Sequence, residues 1–360
     1  MTEETGGVVQ IVQRIIPGGI ETLALELAAR LPGENQVLSL EWSNARIVDN
    51  WPAMAARSHT FSGLEKPPGL RPDFILALAR RLKALAPRAV MAHHIGPLFY
   101  GGLAARLAGI SRFVYVEHDV WHYENSVDRR LARIASLIAR PRIVAVSASV
   151  ARTVERFMPR CPITVIPNAV DTDRFVPSDR QAARDRLGLS RTSRIIGAAG
   201  RLEPVKGQDV LVAAMAQIPD TALVLVGDGS AADALKAQVA ALGLSERVHF
   251  LGHRNDLPEI YPAFDLVCLP SRNEGLPLSV LEAQACGIPV VATDVGSVRE
   301  GICPGTGALV PPDDPDTLAA ELRAKLAAPA TGSPRAFVLQ HFSWRRMIAA
   351  YETLLGLHRP

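Results

Sequence analysis

The chain has 360 residues, 48% of them hydrophobic, 21% charged and 5% aromatic. Such a chain can bury the cores of about two domains and is neither a disordered tail nor a fibrous repeat. It carries no run of about 18 uncharged apolar residues that could span a bilayer, and its acidic start, Met1-Thr-Glu-Glu-Thr-Gly-Gly, has no apolar leader segment. The four cysteines, 161, 268, 286 and 303, show no C-x-x-C spacing, and Cys268 and Cys286 stand in apolar surroundings. They read as free thiols in a reducing, cytoplasmic setting. The net charge of +3 is uneven: residues 1–170 hold 20 Lys+Arg against 14 Asp+Glu, the remainder 19 against 22. A basic first half suits an acidic partner.

In chain order, short β-rich runs alternate with helical patterns. Val8–Gln13, Val37–Leu40, Ala89–Ala92, Phe113–Val116, Ile143–Val146 and Thr164–Ile166 read as strands, with helices at Glu21–Leu31, Asp73–Leu85, Leu98–Leu107 and Ala148–Phe157. Residues 167–179 are rich in turn formers. A second set follows, with strands at Arg194–Ala199, Ala222–Val226, Val248–Leu251, Leu266–Leu269, Pro289–Ala292 and Ala308–Val310, and helices at Gly207–Gln217, Ala231–Ala241 and Pro315–Leu326. This alternation predicts an α/β chain of two doubly wound parallel-sheet domains, 1–172 and 180–340. Ligands of such sheets bind beyond the C-terminal strand ends, which predicts a cleft between the domains.

Within the first half, Val127-Asp-Arg-Arg-Leu-Ala-Arg-Ile-Ala-Ser-Leu-Ile-Ala-Arg140 sets Arg129, Arg130, Arg133 and Arg140 beside Leu131, Ile134, Leu137 and Ile138. Two readings stand: a helix lying on an anionic membrane surface, or a core-packed helix with a solvated basic face. No aromatics interleave with the basic residues, which argues against nucleic acid.

Candidate chemistry gathers at strand ends. Arg201 and Lys206 follow the strand Arg194–Ala199, where a guanidinium and an ammonium suit a diphosphate. Glu274 and Glu282 bracket an apolar stretch, Gly275 to Leu281, that follows the strand Leu266–Leu269. Pro277 suits the first position of a helix running to Cys286 and stopped by Gly287. A helix N-terminus between two carboxylates can hold a phosphate while the acids accept bonds from sugar hydroxyls. Pro17-Gly18-Gly19 precedes the first helix, where glycine lets a ligand approach the backbone closely. Glu117-His118-Asp119 follows the strand Phe113–Val116, and His118 can bond a hydroxyl or shuttle a proton. The four-residue spacing of His118 and His122 lacks convincing further metal ligands, and Asp171-Thr-Asp173 reads as linker; no metal site is expected. His93-His94, after Ala89–Ala92, fits either a site or a structural role.

Gly200-Arg201 with Lys206-Gly207, Leu225-Val-Gly-Asp-Gly229, Phe250-Leu-Gly252, Val165-Ile-Pro-Asn-Ala-Val-Asp171, Phe342-Ser-Trp-Arg and the Glu274-x7-Glu282 element with its following Ala-Cys-Gly-Ile-Pro-Val-Val-Ala-Thr form one joint pattern. In it the chain resembles, over nearly its whole length, the retaining glycosyltransferases of family 4, which have the GT-B fold. The resemblance implies transfer of a sugar from a UDP- or GDP-sugar to a glycan or lipid-linked acceptor, in cell-surface polysaccharide or glycolipid synthesis, with no required cofactor and no nucleic acid. It implies that Arg201 and Lys206 hold the donor diphosphate, that Glu274 accepts bonds from the sugar, and that Glu282 accepts them from the ribose. Gly275, Leu276, Leu278 and Ser279 would hold sugar and phosphate, Gly19 would approach the phosphate, and His118 would touch the sugar beside the reacting carbon. A helix at 343–358 would return to the first domain, and the protein would be cytoplasmic or peripheral at the inner membrane. Leu276-Pro277 departs from the Phe-Gly pair of many relatives and removes one backbone N–H. A sugar-phosphate synthase or phosphorylase, or a non-catalytic sugar-nucleotide-binding protein, would share the fold.

Overall fold

The computed structural model describes residues 6–327 and 331–357. The acidic start at 1–5 and the last residue of the expected 343–358 helix lie outside them. The chain divides into two compact units: residues up to Asn168 together with those from Met347, and Ala169–Arg346.

The first unit is built on a seven-stranded sheet of β1 (Val8–Val12), β2 (Gln36–Ser39), β3 (Phe61–Gly63), β4 (Ala89–His93), β5 (Phe113–Glu117), β6 (Arg142–Ala145) and β7 (Ile163–Val165). Its order is β3-β2-β1-β4-β5-β6-β7, and every pairing is parallel. β1, β4 and β5 are buried along their whole length, as continuous Val-, Ala- and Ile-rich runs require when helices cover both faces. β3 was not expected. Its three residues are too few for a period, and Phe61 is buried only because β2 and the Ile47–Met54 region supply its neighbours.

The helix Ser126–Ala139 packs on the core with its arginines Arg130, Arg133 and Arg140 exposed, but not through the large apolar residues of its sequence. Ile134, Leu137 and Ile138 are 52%, 50% and 45% exposed, while Ala132, Ala135, Ser136 and Ala139 are buried. Ile134, Leu137 and Ile138 therefore do not pack into the core, while Leu131 is half-buried. The small face packs instead, because the helix Ile95–Leu107 offers Gly102, whose missing Cβ leaves room for Ala139. Small residues on both helices permit an approach that Leu and Ile would block.

The second unit holds β8 (Arg194–Ala199), β9 (Thr221–Val226), β10 (Val248–Phe250), β11 (Leu266–Leu269), β12 (Val290–Thr293) and β13 (Ala308–Val310). They form a parallel sheet in the order β10-β9-β8-β11-β12-β13. β8 has β9 on one side and β11 on the other, so the chain switches direction across the sheet between β8 and β11. Ligands of doubly wound sheets bind at such a switch. In the first unit the equivalent switch lies between β1 and β4.

Candidate active site

In the second unit, the loops that leave β8 and β11 bring Lys206 and Glu274 together. Lys206 closes the short 3-10 turn Pro204–Lys206, and its Nζ donates to Glu274 Oε1 at 2.7 Å. The same oxygen accepts from Ser271 Oγ at 2.7 Å, and Ser271 is fully buried. The pair is largely shielded, with 22% of the Lys206 side chain and 9% of Glu274 exposed. Arg272 ties the two loops. Its amide donates to Val205 O at 2.8 Å, its guanidinium also reaches Pro204 O, and it forms a two-armed bond to Asp209 at 2.7 and 2.9 Å and another bond to Asp313 at 2.7 Å. A cation held by three partners, with its own amide bonded to Val205, sets the spacing of Lys206 from Glu274.

Glycines make this geometry possible. At Gly227 and Gly229, φ of 141° and 159° and the lack of a Cβ let the end of β9 press on the Gly200–Leu202 carbonyls, so that Leu202 N bonds Asp228 O at 2.9 Å. This explains the Leu225–Gly229 motif as a support for Arg201. Arg201 itself is exposed and its guanidinium makes no hydrogen bond among the described residues. Gly296, at φ 53°, lies under the Glu274 carbonyl, where a Cβ would overlap the oxygen.

The helix after Glu274 runs Leu278–Ala285. Pro277 is its N-cap, at ψ 124°, and not its first residue; the extended conformation lets the Glu274–Leu276 loop turn into the helix. Pro277 makes no side-chain cap bond to the first N–H groups of the helix. Glu282 is the fifth helical residue. Its Oε2 accepts from Tyr261 Oη at 3.0 Å, and Tyr261 is fully buried. Burial raises the Glu282 carboxyl to about 7, while the Tyr261 hydroxyl and nearby Arg174 pull it the other way. Gly275 and Leu276 lie in the loop before the helix, and Leu278 and Ser279 in its first turn.

In the first unit, Gly19 opens the helix Gly19–Arg30 after β1, and the Gly18 N-cap offers no side chain. His118 follows β5 and is 5% exposed. Its Nε2 lies 2.9 Å from His93 Nδ1; His93 Nε2 lies 2.9 Å from Gln10 Oε1; and Gln10 Nε2 donates to Ala24 O at 2.8 Å. Residues from β1, β4 and the position just after β5 thus form one buried chain. His93 and Gln10 were not identified as partners of His118 from the sequence, although Gln10 and His93 lie on strands and His118 directly follows one, which was the available signal. Beside them, Glu117 is fully buried and accepts from Tyr115 Oη at 2.8 Å and Tyr123 Oη at 2.6 Å. His122 opposes burial through Asp119 at 3.2 Å and Glu117 at 3.3 Å, which raise it to about 10. Asp171, in the proposed linker, caps the amides of Asp173 and Arg174 through Oδ1 at 3.1 Å each. No cluster of three or more His, Cys, Asp or Glu suited to a metal occurs among the described residues.

Two parallel α/β sheets with strand-end loops of this kind define a GT-B glycosyltransferase fold. The chain matches the family Glycosyltransferase Family 4 over residues 17–174 and Glycosyl transferases group 1 over 179–336, and it belongs to glycosyltransferase family 4. A D-inositol 3-phosphate glycosyltransferase of Mycolicibacterium gilvum is 41% identical over 207 residues, covering 54% of this chain and 46% of its own. A protein of the same description from Mycolicibacterium vanbaalenii is 39% identical over 225 residues, 55% of this chain and 49% of its own. The chain spans about half the length of the curated relatives it matches. Among solved structures, Anabaena HepE in complex with UDP and glucose superposes with a TM-score of 0.83 at 25% identity, covering 98% of this chain and all of that one. The sucrose-phosphate synthase of Thermosynechococcus elongatus shares the fold, with a TM-score of 0.83 at 22% identity and 98% of each chain covered.

Proposed function

We propose that this protein is a retaining glycosyltransferase that moves a sugar from a nucleotide-sugar donor to a glycan or lipid-linked acceptor. The Lys206–Glu274 contact, at the switch between β8 and β11, carries the reading. A shielded ammonium held by a carboxylate is a site where an incoming diphosphate can take the cation and free the acid for sugar hydroxyls. Lys206 and Arg201 then offset the charge that develops on the departing nucleoside diphosphate, which is where electrostatic catalysis acts. Glu282 is assigned to the ribose hydroxyls, and Gly275, Leu276, Leu278 and Ser279 to sugar and phosphate. Gly19 and His118 are assigned to the same donor, at its phosphate and its sugar. No carboxylate is assigned as a nucleophile. The acceptor oxygen forms its bond to the anomeric carbon on the face from which the phosphate oxygen leaves, and that phosphate takes the acceptor proton. The reading requires no metal.

The donor is assigned as a UDP- or GDP-sugar, with UDP supported by the HepE complex. Thermal-shift measurement over UDP-, GDP- and ADP-sugars tests this, since a bound donor raises the melting temperature with its concentration over Kd. Release of nucleoside diphosphate without acceptor separates the enzyme from a sugar-nucleotide sensor, which should release none. D-inositol 3-phosphate, from the name of the Mycolicibacterium relatives, belongs in the acceptor panel beside lipid-linked glycans.

The acceptor side is proposed to work at an anionic membrane surface, in polysaccharide or glycolipid synthesis. The support is the exposed face of the helix Ser126–Ala139, where Ile134, Leu137 and Ile138 stand with Arg130 and Arg133. No helix among the described residues is long and apolar enough to cross a membrane.

A further inference from the structure

The buried chain from Ala24 to His118 has only one arrangement of protons that satisfies every member with both imidazoles neutral, the state that burial imposes. Gln10 Nε2 can only donate, and it faces the Ala24 carbonyl. Turning the amide over would set oxygen against oxygen at 2.8 Å, so Gln10 Oε1 faces His93 Nε2 and must accept from it. His93 therefore carries its proton on Nε2 and presents a lone pair at Nδ1. His118 fills that lone pair with Nε2–H. A neutral His118 then has a bare Nδ1, which makes no bond within the chain among the described residues. Gln10 and His93 are fully buried, so no water replaces a partner in this chain.

A second observation marks the same place as constrained. His94, next to His93, holds φ 75° and ψ 167°, a region almost reserved for glycine. Its ring centroid lies 6.0 Å from that of His118. Backbone strain of this kind persists only where surrounding structure imposes it.

We propose that Gln10 and His93 are positioning residues that hold His118 as a fixed hydrogen-bond acceptor, its Nδ1 serving a hydroxyl of the donor sugar, and not as a proton shuttle. The proposal rests on the transferase reading and adds to it the direction of one hydrogen bond. The groups that face His118 are His93 from β4 and His94 from the start of the helix Ile95–Leu107, with Glu117, Asp119 and His122 grouped around His94. Burial lowers both His118 and His93, the latter to about 3, which keeps the chain neutral.

Nitrogen-15 NMR of histidine-labelled full-length protein tests this, with His118→Ala supplying the assignment. The expected wild-type result is a neutral His118 with Nε2–H from about pH 5.5 to about pH 8.5, a range in which a free imidazole changes charge. An Nδ1–H tautomer, or titration near 6.5, overturns the proposal. Gln10→Leu should leave His93 and His118 exchanging between tautomers and lower turnover of UDP-glucose about tenfold, the order of loss that follows from a mispositioned group. Unchanged turnover in a folded Gln10→Leu protein also overturns it; if that variant does not fold, the wild-type spectrum decides. Failure of the transferase reading is seen separately, as wild-type protein that releases no nucleoside diphosphate from UDP-, GDP- or ADP-sugars.

Discussion

Lys206 Nζ lies 2.7 Å from Glu274 Oε1, a contact between residues 68 positions apart. Each side chain is the other's only oppositely charged partner among the described ion pairs. With donor bound, both are assigned new partners, so each is expected to matter more to turnover than to folding. Lys206→Ala and Glu274→Ala should each lower kcat about a hundredfold or more, as loss of a preorganised contact to developing charge does. The double variant should lose less than the product, because the two share one interaction. Steady-state kinetics checks this, and full activity in either single variant rejects the assigned roles.

Gly296 allows a sharper test, since it touches the site only through backbone. Ala at this position would drive its Cβ into the Glu274 carbonyl at φ 53°. Gly296→Ala should therefore displace the Glu274 loop and lower turnover about tenfold or more. Gly243 serves as control: it has φ 68° and open space around it. Gly243→Ala should cost about 1–2 kcal/mol of stability from strain alone and leave turnover intact. Melting temperatures and kcat of the two variants measure the contrast.

The Glu282 carboxyl gives a pH signature. Burial lifts it from 4.5 to about 7. The fold thus favours the protonated form, whose stabilising contribution is complete below about 4.5 and is lost as pH rises through about 7. Glu282→Gln has no charge to desolvate. Between about pH 5 and about pH 8 its stability relative to wild type should move in its favour by about 2–3 kcal/mol. Denaturant melts at the two pH values check the sign. If the carboxylate receives ribose hydroxyls, donor affinity in the wild type should rise across the same interval, and Glu282→Gln should abolish that rise.

Replacing Ile134 and Leu137 by Glu tests the exposed helical face. Both are about half exposed, so stability should change by less than about 0.5 kcal/mol per site. Flotation with anionic vesicles should be strong and salt-sensitive for wild type and lost in the double variant. Equal flotation of the two would remove the membrane proposal.

Much of this protein was legible in its sequence because local chemistry dictated it. Val-, Ile- and Ala-rich runs at regular spacing made two parallel sheets, and β8, β11 and β13 were read with the bounds they have. Gly200-Arg201, Lys206-Gly207 and Glu274-x7-Glu282 marked strand ends from residue type alone. Tertiary structure decided what depends on neighbours distant in the chain. Only packing could show that the helix Ser126–Ala139 buries alanines and exposes isoleucine and leucine, since the choice of face was made by Gly102 on another helix. Only strand order could bring Gln10, His93 and His118 into one bonded chain, because hydrogen bonds have direction and partners, and a sequence pattern records neither.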